Sequence, residues 1–217
     1  MAAMKPVKSA VGRLIKYAGA RLWEQVQWPD IETIYARSGM FGIVGFLQQS
    51  CDPDLTKAVL RRFGAKIHPD CWPIGPNITM HDCPEDFSKL EIGSHVHIGR
   101  QVFLDMADRI IIEDSVAIGM RTIILTHLNM GHGYPNKPVQ HFFPLRQKPT
   151  VFKRGCSVGA GCIVACGVTI GEDSVINAGV LVDRDVPPRT WVSSSRQKPD
   201  FRLPDRLFDK VLKNERP

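Results

Sequence analysis

Between residues 152 and 187 apolar side chains return at every sixth position, at Phe152, Val158, Val164, Ile170, Ile176 and Val182. Four residues after each stands a small or β-branched one: Cys156, Cys162, Val168, Ser174, Val180 and Val186. A short residue directly follows several of the leading positions, at Gly159, Ala165, Gly171 and Asn177. The same register runs upstream through Ile92, Ile98 and Leu104, and again through Ile112, Ile118 and Ile124. A period of six fits neither an amphipathic helix nor simple strand alternation. It predicts a mainly β chain, wound as a β-helix of short strands with tight corners. One coil cannot bury its own apolar face, so the coils must stack around an axial core. Val158, Val164, Ile170, Ile176 and Val182 are therefore expected inside, with Asp173 and Arg184 outside.

The register breaks twice, briefly at 105–109 and at length over 127–150. The second break is rich in proline, histidine and aromatics (His127-Leu-Asn-Met-Gly-His-Gly-Tyr-Pro) and carries no six-residue pattern. It must leave the coil as a loop, and long loops in compact domains usually serve function.

Helices are expected on both flanks. Residues 6–27 read as one, with Pro6 in its first turn and Pro29 closing it. The stretch 39–47 carries a glycine at every third position, which suits close packing of a short element and lacks the context of a phosphate loop. Asp52-Pro53 opens another helix with Leu55, Val59, Leu60 and Phe63 on its apolar face, and Gly64 ends it. Residues 201–213 read as a terminal helix capping the solenoid. The expected divisions are an N-terminal helical extension (1–64), a β-helix domain (65–195) with its excursion at 127–150, and a C-terminal helical tail (196–217).

Charge and cysteine content narrow the classes. The formal charge is +6, and much of it sits at the N-terminus, where Lys5, Lys8, Arg13, Lys16 and Arg21 face only Glu24. The remainder is near neutral, so no nucleic-acid groove is expected. Val7, Val11, Leu14, Ile15, Ala18 and Leu22 share one stripe of the 6–27 helix opposite several of those cations. Such a helix either packs on its own domain or lies on an anionic membrane surface, so peripheral membrane contact through 6–27 stays open. No apolar run approaches a spanning length and the start lacks a signal-peptide core, so a cytoplasmic location is expected, with the inner membrane face as its variant. The six cysteines show no paired CxxC spacing, and Cys156 and Cys162 fall at inward corners where a thiol acts as a small hydrophobe.

Chemistry points to histidine. His127, His132 and His141 lie in or beside the excursion, with no nucleophile elbow and no paired glutamates near. Imidazole is the side chain best matched to take a hydroxyl proton near neutral pH.

The run Ile118-Gly-Met-Arg-Thr-Ile-Ile-Leu-Thr-His, the excursion, and then Gly155 to Pro188 resemble the hexapeptide-repeat acyltransferases. Within them the chain is most similar to the galactoside and maltose O-acetyltransferase branch, over roughly residues 65–195. The resemblance implies a left-handed parallel β-helix and a homotrimer with active sites between subunits. It also implies acetyl-CoA as donor co-substrate, with no metal, and a sugar or polysaccharide-precursor hydroxyl as acceptor. It makes His127 the general base, since it follows an apolar-x-Thr at the end of a coil, with His132 in reserve. It places Asp105 where relatives carry an acceptor-binding asparagine, and Asp108 at an aspartate also used for acceptor contact, with one or the other expected to orient acceptor or imidazole. Donor contacts map to Ala160, Ala178 and Arg184. The usual basic exit is replaced by Ser193-Ser-Ser-Arg-Gln-Lys, which leaves Arg196 and Lys198 as weak matches for phosphate binding.

Two other readings share the fold. His127 and His132 have the two-histidine spacing of a γ-carbonic-anhydrase-type zinc hydrolyase, with His95 or His97 as a third ligand. A non-catalytic trimeric scaffold is the other.

Overall fold

A computed structural model of the chain describes residues 30–83, 85–131 and 144–193, and the backbone of Phe201 and Arg202. The helix expected over 6–27 lies outside the described residues, as does everything after Arg202. The chain divides into two compact units, Met1–Ile43 and Val44–Pro217.

Helix α1 (Ile31–Gln49) is longer than the short element expected around the spaced glycines, and it is interrupted at Gly39 (φ 55°, ψ −149°). Helix α2 (Pro53–Arg62) forms as its signals predict. The Asp52 carboxylate accepts from the N–H groups of Asp54 and Leu55, and Pro53 occupies the first turn. Its buried side chains are Thr56, Val59 and Leu60, while Leu55 stays 36% exposed. The expected break at residue 64 does not separate this helix from the β-helix. Arg61 donates to the carbonyls of Ile67 and His68, Lys57 to that of Cys71, and Phe63 meets Phe87 edge-on. The helix closes the first coil.

From Lys66 onward the chain winds as a left-handed parallel β-helix of three sheets. The first sheet stacks β1 (Lys66–Ile67), β3 (Leu90–Ile92), β6 (Ile110–Ile112), β11 (Thr150–Phe152) and β14 (Thr169–Ile170). The second holds β4 (His97–Ile98), β7 (Ala117–Ile118), β12 (Ser157–Val158), β15 (Val175–Ile176) and β17 (Thr190–Val192). The third holds β2 (Thr79–His81), β5 (Phe103–Asp105), β8 (Ile123–Ile124), β13 (Ile163–Val164) and β16 (Leu181–Val182). All pairings among these strands are parallel and in register, Ile118 on Val158 and Ile124 on Val164 for example. Val158, Val164, Ile170, Ile176 and Val182 are all buried, as are Cys156 and Cys162. Burial pushes the Cys156 thiol up to about 12, helped by the nearby Glu113 and Asp173 carboxylates, so it is inert filling. Arg184 is exposed and Asp173 half-buried at a corner.

The expected terminal helix does not begin at residue 201. Phe201–Arg202 is instead a strand, β18, pairing antiparallel with β17. Its backbone groups satisfy the last coil's open edge, which would otherwise template pairing with another chain.

The corner between the second and third sheets is very close-packed. A Cβ on Gly159 would stand 2.4 Å from the Ala178 nitrogen, and one on Gly119 2.5 Å from the Ala160 nitrogen. Coils can touch there only through glycine. Gly161, two residues on, has φ +67° but open space around it. Gly159→Ala should therefore cost roughly 3 kcal/mol, as overpacking against rigid backbone does, whereas Gly161→Ala should cost about 1 kcal/mol from left-handed strain alone. Denaturant unfolding of the two variants checks the difference, and equal losses would refute the close-contact account.

Candidate active site

The excursion leaves the β-helix at the corner after the third sheet. The last regular coil-to-coil bond there runs from the Leu125 N–H to the Val164 carbonyl at 2.9 Å. The next two N–H groups, of Thr126 and His127, have no carbonyl above them, and one buried carboxylate takes both. Asp105 Oδ2 accepts from Thr126 N at 2.7 Å and from His127 N at 2.9 Å. Its other oxygen accepts from Ala107 N at 3.2 Å. The Thr126 hydroxyl donates to the Asp105 carbonyl at 2.7 Å and accepts from Asp108 N at 2.9 Å. The side chain of Asp105 is 1% exposed.

The returning strand is fixed as firmly. β9 (His127–Leu128) pairs antiparallel with β10 (Arg146–Gln147), so His127 stands on the stem of a hairpin rather than within a free loop. Lys148 N donates to the Thr126 carbonyl at 3.0 Å, and the Thr150 hydroxyl to the Leu125 carbonyl at 2.6 Å.

This anchoring aims the imidazole. His127 Nδ1 lies 2.7 Å from Asp105 Oδ2. An ionised carboxylate only accepts, so Nδ1 carries the proton and the Nε2 lone pair is left open. Burial alone would push the Asp105 carboxyl up. The N–H groups of Thr126, Ala107 and His127, with the His127 ring, outweigh it and hold the carboxyl below the ordinary aspartate range. A negative charge fixed at Nδ1 steadies the ring and stabilises the imidazolium that proton uptake at Nε2 would form. The His127 side chain is 21% exposed, so Nε2 can be reached.

Two further residues face this nitrogen. Asp82 Oδ2 lies 3.7 Å from His127 Nε2. The His81 ring stacks on that of His127 at 6.0 Å and 13°, and on Phe103 at 6.4 Å. Sequence reasoning missed both, because they close the first coil, where no six-residue register marks the inward and outward positions.

The sequence-derived candidates separate into groups. His127, Asp105 and Asp108 come together at the excursion corner. Asp105 is not placed as an acceptor contact, since it is buried and its oxygens receive N–H groups. Asp108 is half-buried and its carboxylate accepts from Arg109 N at 2.7 Å. Arg184 is exposed on the same corner, two coils along. Ala160 and Ala178 are exposed one coil apart at the corner on the other side of the third sheet. His132, His141, Arg196 and Lys198 lie outside the described residues. His95 is exposed at a corner, and His97, in the second sheet, packs against Trp72 at 6.2 Å. Neither belongs to the group His81, Asp82 and Asp105, whose side chains could surround a cation among the described residues. Among those residues no helix is long and apolar enough to cross a membrane.

The fold can be set beside known proteins. No protein-family model matches the chain. It is 32% identical to the galactoside O-acetyltransferase of Escherichia coli over 105 residues, 44% of this chain and 48% of that protein. It is 29% identical to the serine acetyltransferase of Mycobacterium tuberculosis over 150 residues, 62% of each. The matched stretch thus spans about half of the first relative's length and under two thirds of the second's. Among solved structures it is similar to a hexapeptide-repeat acetyltransferase of Vibrio cholerae complexed with acetyl-coenzyme A. That likeness has 27% identity and TM-score 0.59, over 80% of this chain and 87% of that one. By its fold and by these partial matches the chain is similar to hexapeptide-repeat acetyltransferases, a galactoside O-acetyltransferase among them.

The four donors on Asp105 make a pH prediction. Because its folded-state carboxyl ionises below the ordinary aspartate value, its stabilisation is complete above about pH 4 and fades as pH falls through the lower folded value. Asp105→Asn should lose roughly 2–3 kcal/mol at neutral pH, the scale of hydrogen bonds to a charged group. Urea unfolding should show the gap to wild type closing in acid. A gap independent of pH would mean the carboxylate charge is not what holds the corner.

Proposed function

We propose that this protein is an acetyl-CoA-dependent O-acetyltransferase acting on a hydroxyl of a sugar or polysaccharide precursor. The observation that carries this reading is the Asp105–His127 pair, with Nδ1 at 2.7 Å from the carboxylate and Nε2 open. In a ternary complex Nε2 takes the acceptor's hydroxyl proton as the oxygen attacks the thioester carbonyl. The tetrahedral intermediate collapses with cleavage of the carbon–sulfur bond, and the imidazolium returns its proton to the leaving thiolate. The thioester is already activated, so alignment and deprotonation suffice and no acyl-enzyme is needed. The names of the galactoside and serine acetyltransferase relatives and the acetyl-coenzyme A complex of the Vibrio structure support donor and reaction.

The donor arm lies along the glycine corner, where small side chains let it approach the backbone. A cleft of about 440 Å³ runs there, lined in part by Gly75, Gly99, Gly119, Met120 and Ala160. Ala178 continues the corner. Arg184 offers charge to the phosphates from the far side of the third sheet.

A homotrimer accounts for that separation. The outward positions of the third sheet form one ladder, Phe103 on Ile123 on Ile163 on Leu181. Ile163 is 37% exposed and Leu181 60%. A continuous apolar stripe of this kind marks a surface meant to be covered. Packed against a second copy, it brings one protomer's glycine corner toward its neighbour's His127. A cytoplasmic setting belongs to the same reading and agrees with six cysteines free of disulfides.

His127→Ala should lower turnover by about 10²–10⁴-fold, the range for loss of a general base, with acetyl-CoA affinity nearly unchanged. CoA-thiol release and donor binding are the measurements, with His132→Ala as the comparison expected to hurt less. If His127→Ala retains wild-type turnover, the base is elsewhere. The assembly is tested separately. Ile163→Glu with Leu181→Glu should convert trimer to monomer by light scattering, and an unshifted mass would move the interface off the third sheet.

A further inference from the structure

Resting on the acyl-transfer reading, we infer that Asp82 selects the acceptor, and that the acceptor carries a protonated amine beside the hydroxyl that reacts. The reacting hydroxyl must come within hydrogen-bond reach of His127 Nε2. Asp82 Oδ2 stands 3.7 Å from that nitrogen, with its side chain 46% exposed. Any acceptor seated on the base therefore touches this carboxylate with an atom close to the reacting oxygen. The backbone fixes it there, because Asp82 follows β2 in the left-handed region (φ 53°). Its other oxygen lies 3.3 Å from His81 Nδ1, whose ring is stacked against His127.

The charges around this point favour a cation. Asp105 is ionised beneath the imidazole, and its oxygens are taken by donors from its own chain. Lys89 is occupied with the Ala107 carbonyl at 2.5 Å. Among the described residues the Asp82 carboxylate has no lysine or arginine ion-pair partner, its charged-group contacts being His81 and His127. An ammonium gives it a charge-assisted hydrogen bond, a neutral hydroxyl a weaker one, and a carboxylate repulsion. The same contact sets the site of reaction. An amine held protonated by Asp82 has no lone pair, so the neighbouring oxygen is the atom acetylated. The hydroxyl proton passes to Nε2, the new carbon–oxygen bond forms, the carbon–sulfur bond breaks, and the ammonium is unchanged.

The test compares glucosamine, glucose and glucuronate as acceptors near pH 7, with acetyl-CoA, for wild type and Asp82→Asn. Asparagine is the conservative choice because it also tolerates positive φ. Wild type should favour glucosamine over glucose by about tenfold or more in kcat/KM, disfavour glucuronate, and yield an O-acetyl product. Asp82→Asn should erase most of the glucosamine advantage, lowering kcat/KM far more for glucosamine than for glucose, with the thermal melt unchanged. Equal use of glucosamine and glucose, a preference that survives Asp82→Asn, or an N-acetyl product would each overturn the inference and leave acyl transfer standing. Loss of the preference on adding a chelator would overturn it in favour of a metal held by His81 and Asp82. Transfer to none of the three, with acetyl-CoA still bound, would overturn the acyl-transfer reading and this inference with it.

Discussion

Everything in the β-helix depends on one ladder of backbone hydrogen bonds from each coil to the next. At the glycine corner it runs from Gly75 to Ile98, Gly99 to Ile118, Gly119 to Val158 and Gly159 to Ile176, with N···O distances of 2.7–2.8 Å throughout. The third of these spans the excursion, and its length is no different from its neighbours. The coil after the loop therefore docks on the coil before it as though nothing intervened. Buried backbone polar groups must be paired, so this closure is obligatory, and it fixes both feet of the excursion to a rigid base. A histidine on such a foot inherits the precision of the scaffold. That matters, because small misplacements of a reacting pair are costly in rate.

The ladder also explains the aspartate. Where the chain departs after Leu125, two N–H groups lose the carbonyls a regular coil would offer. A single carboxylate one coil below collects both, along with the imidazole N–H. An amide in its place would offer an NH₂ group toward a set of donors and leave at least one of them unmatched. The group that caps the broken ladder thus also sets the tautomer of His127. Charge at Asp105 is tolerable in a buried place because the donors around it are supplied by backbone that cannot move away.

Much of the fold was legible because six-residue periodicity is dictated by geometry that repeats. Val158, Val164, Ile170, Ile176 and Val182 are buried as the pattern requires, and the excursion begins where the register ends. Elements without repetition were read less well. Residues around Gly39 looked like a short packed segment because spaced glycines weaken a helical signal, yet they belong to a stretch that is helical apart from one residue. The apolar run after residue 200 suggested a helix, whereas Phe201–Arg202 pairs with the open edge of the last coil. At the site, His127 could be found from its position before the loop. That Asp105 rather than Asp108 holds the imidazole could not, since the donors it serves are 21 and 22 positions away in sequence. Asp82 and His81 were hidden for the same reason: only the stacking of coils puts them against His127.

The separation of the candidate residues carries its own consequence. His127 stands at one edge of the third sheet and the small residues Ala160 and Ala178 at the other, so under the proposed reading a donor arm on the second corner could not reach His127 of the same chain without crossing an apolar face. That face is the ladder from Phe103 to Leu181, whose exposure increases toward its far end. Covering it with another copy answers two demands at once. It removes apolar surface from water, about 25 cal/mol for each Å², and it sets the two edges opposite each other across a groove. Under the proposed trimer the hydrophobic stripe, the glycine corner and the buried carboxylate would be parts of one arrangement, in which the stacked coils supply rigidity and a neighbouring copy would supply the missing wall of the site.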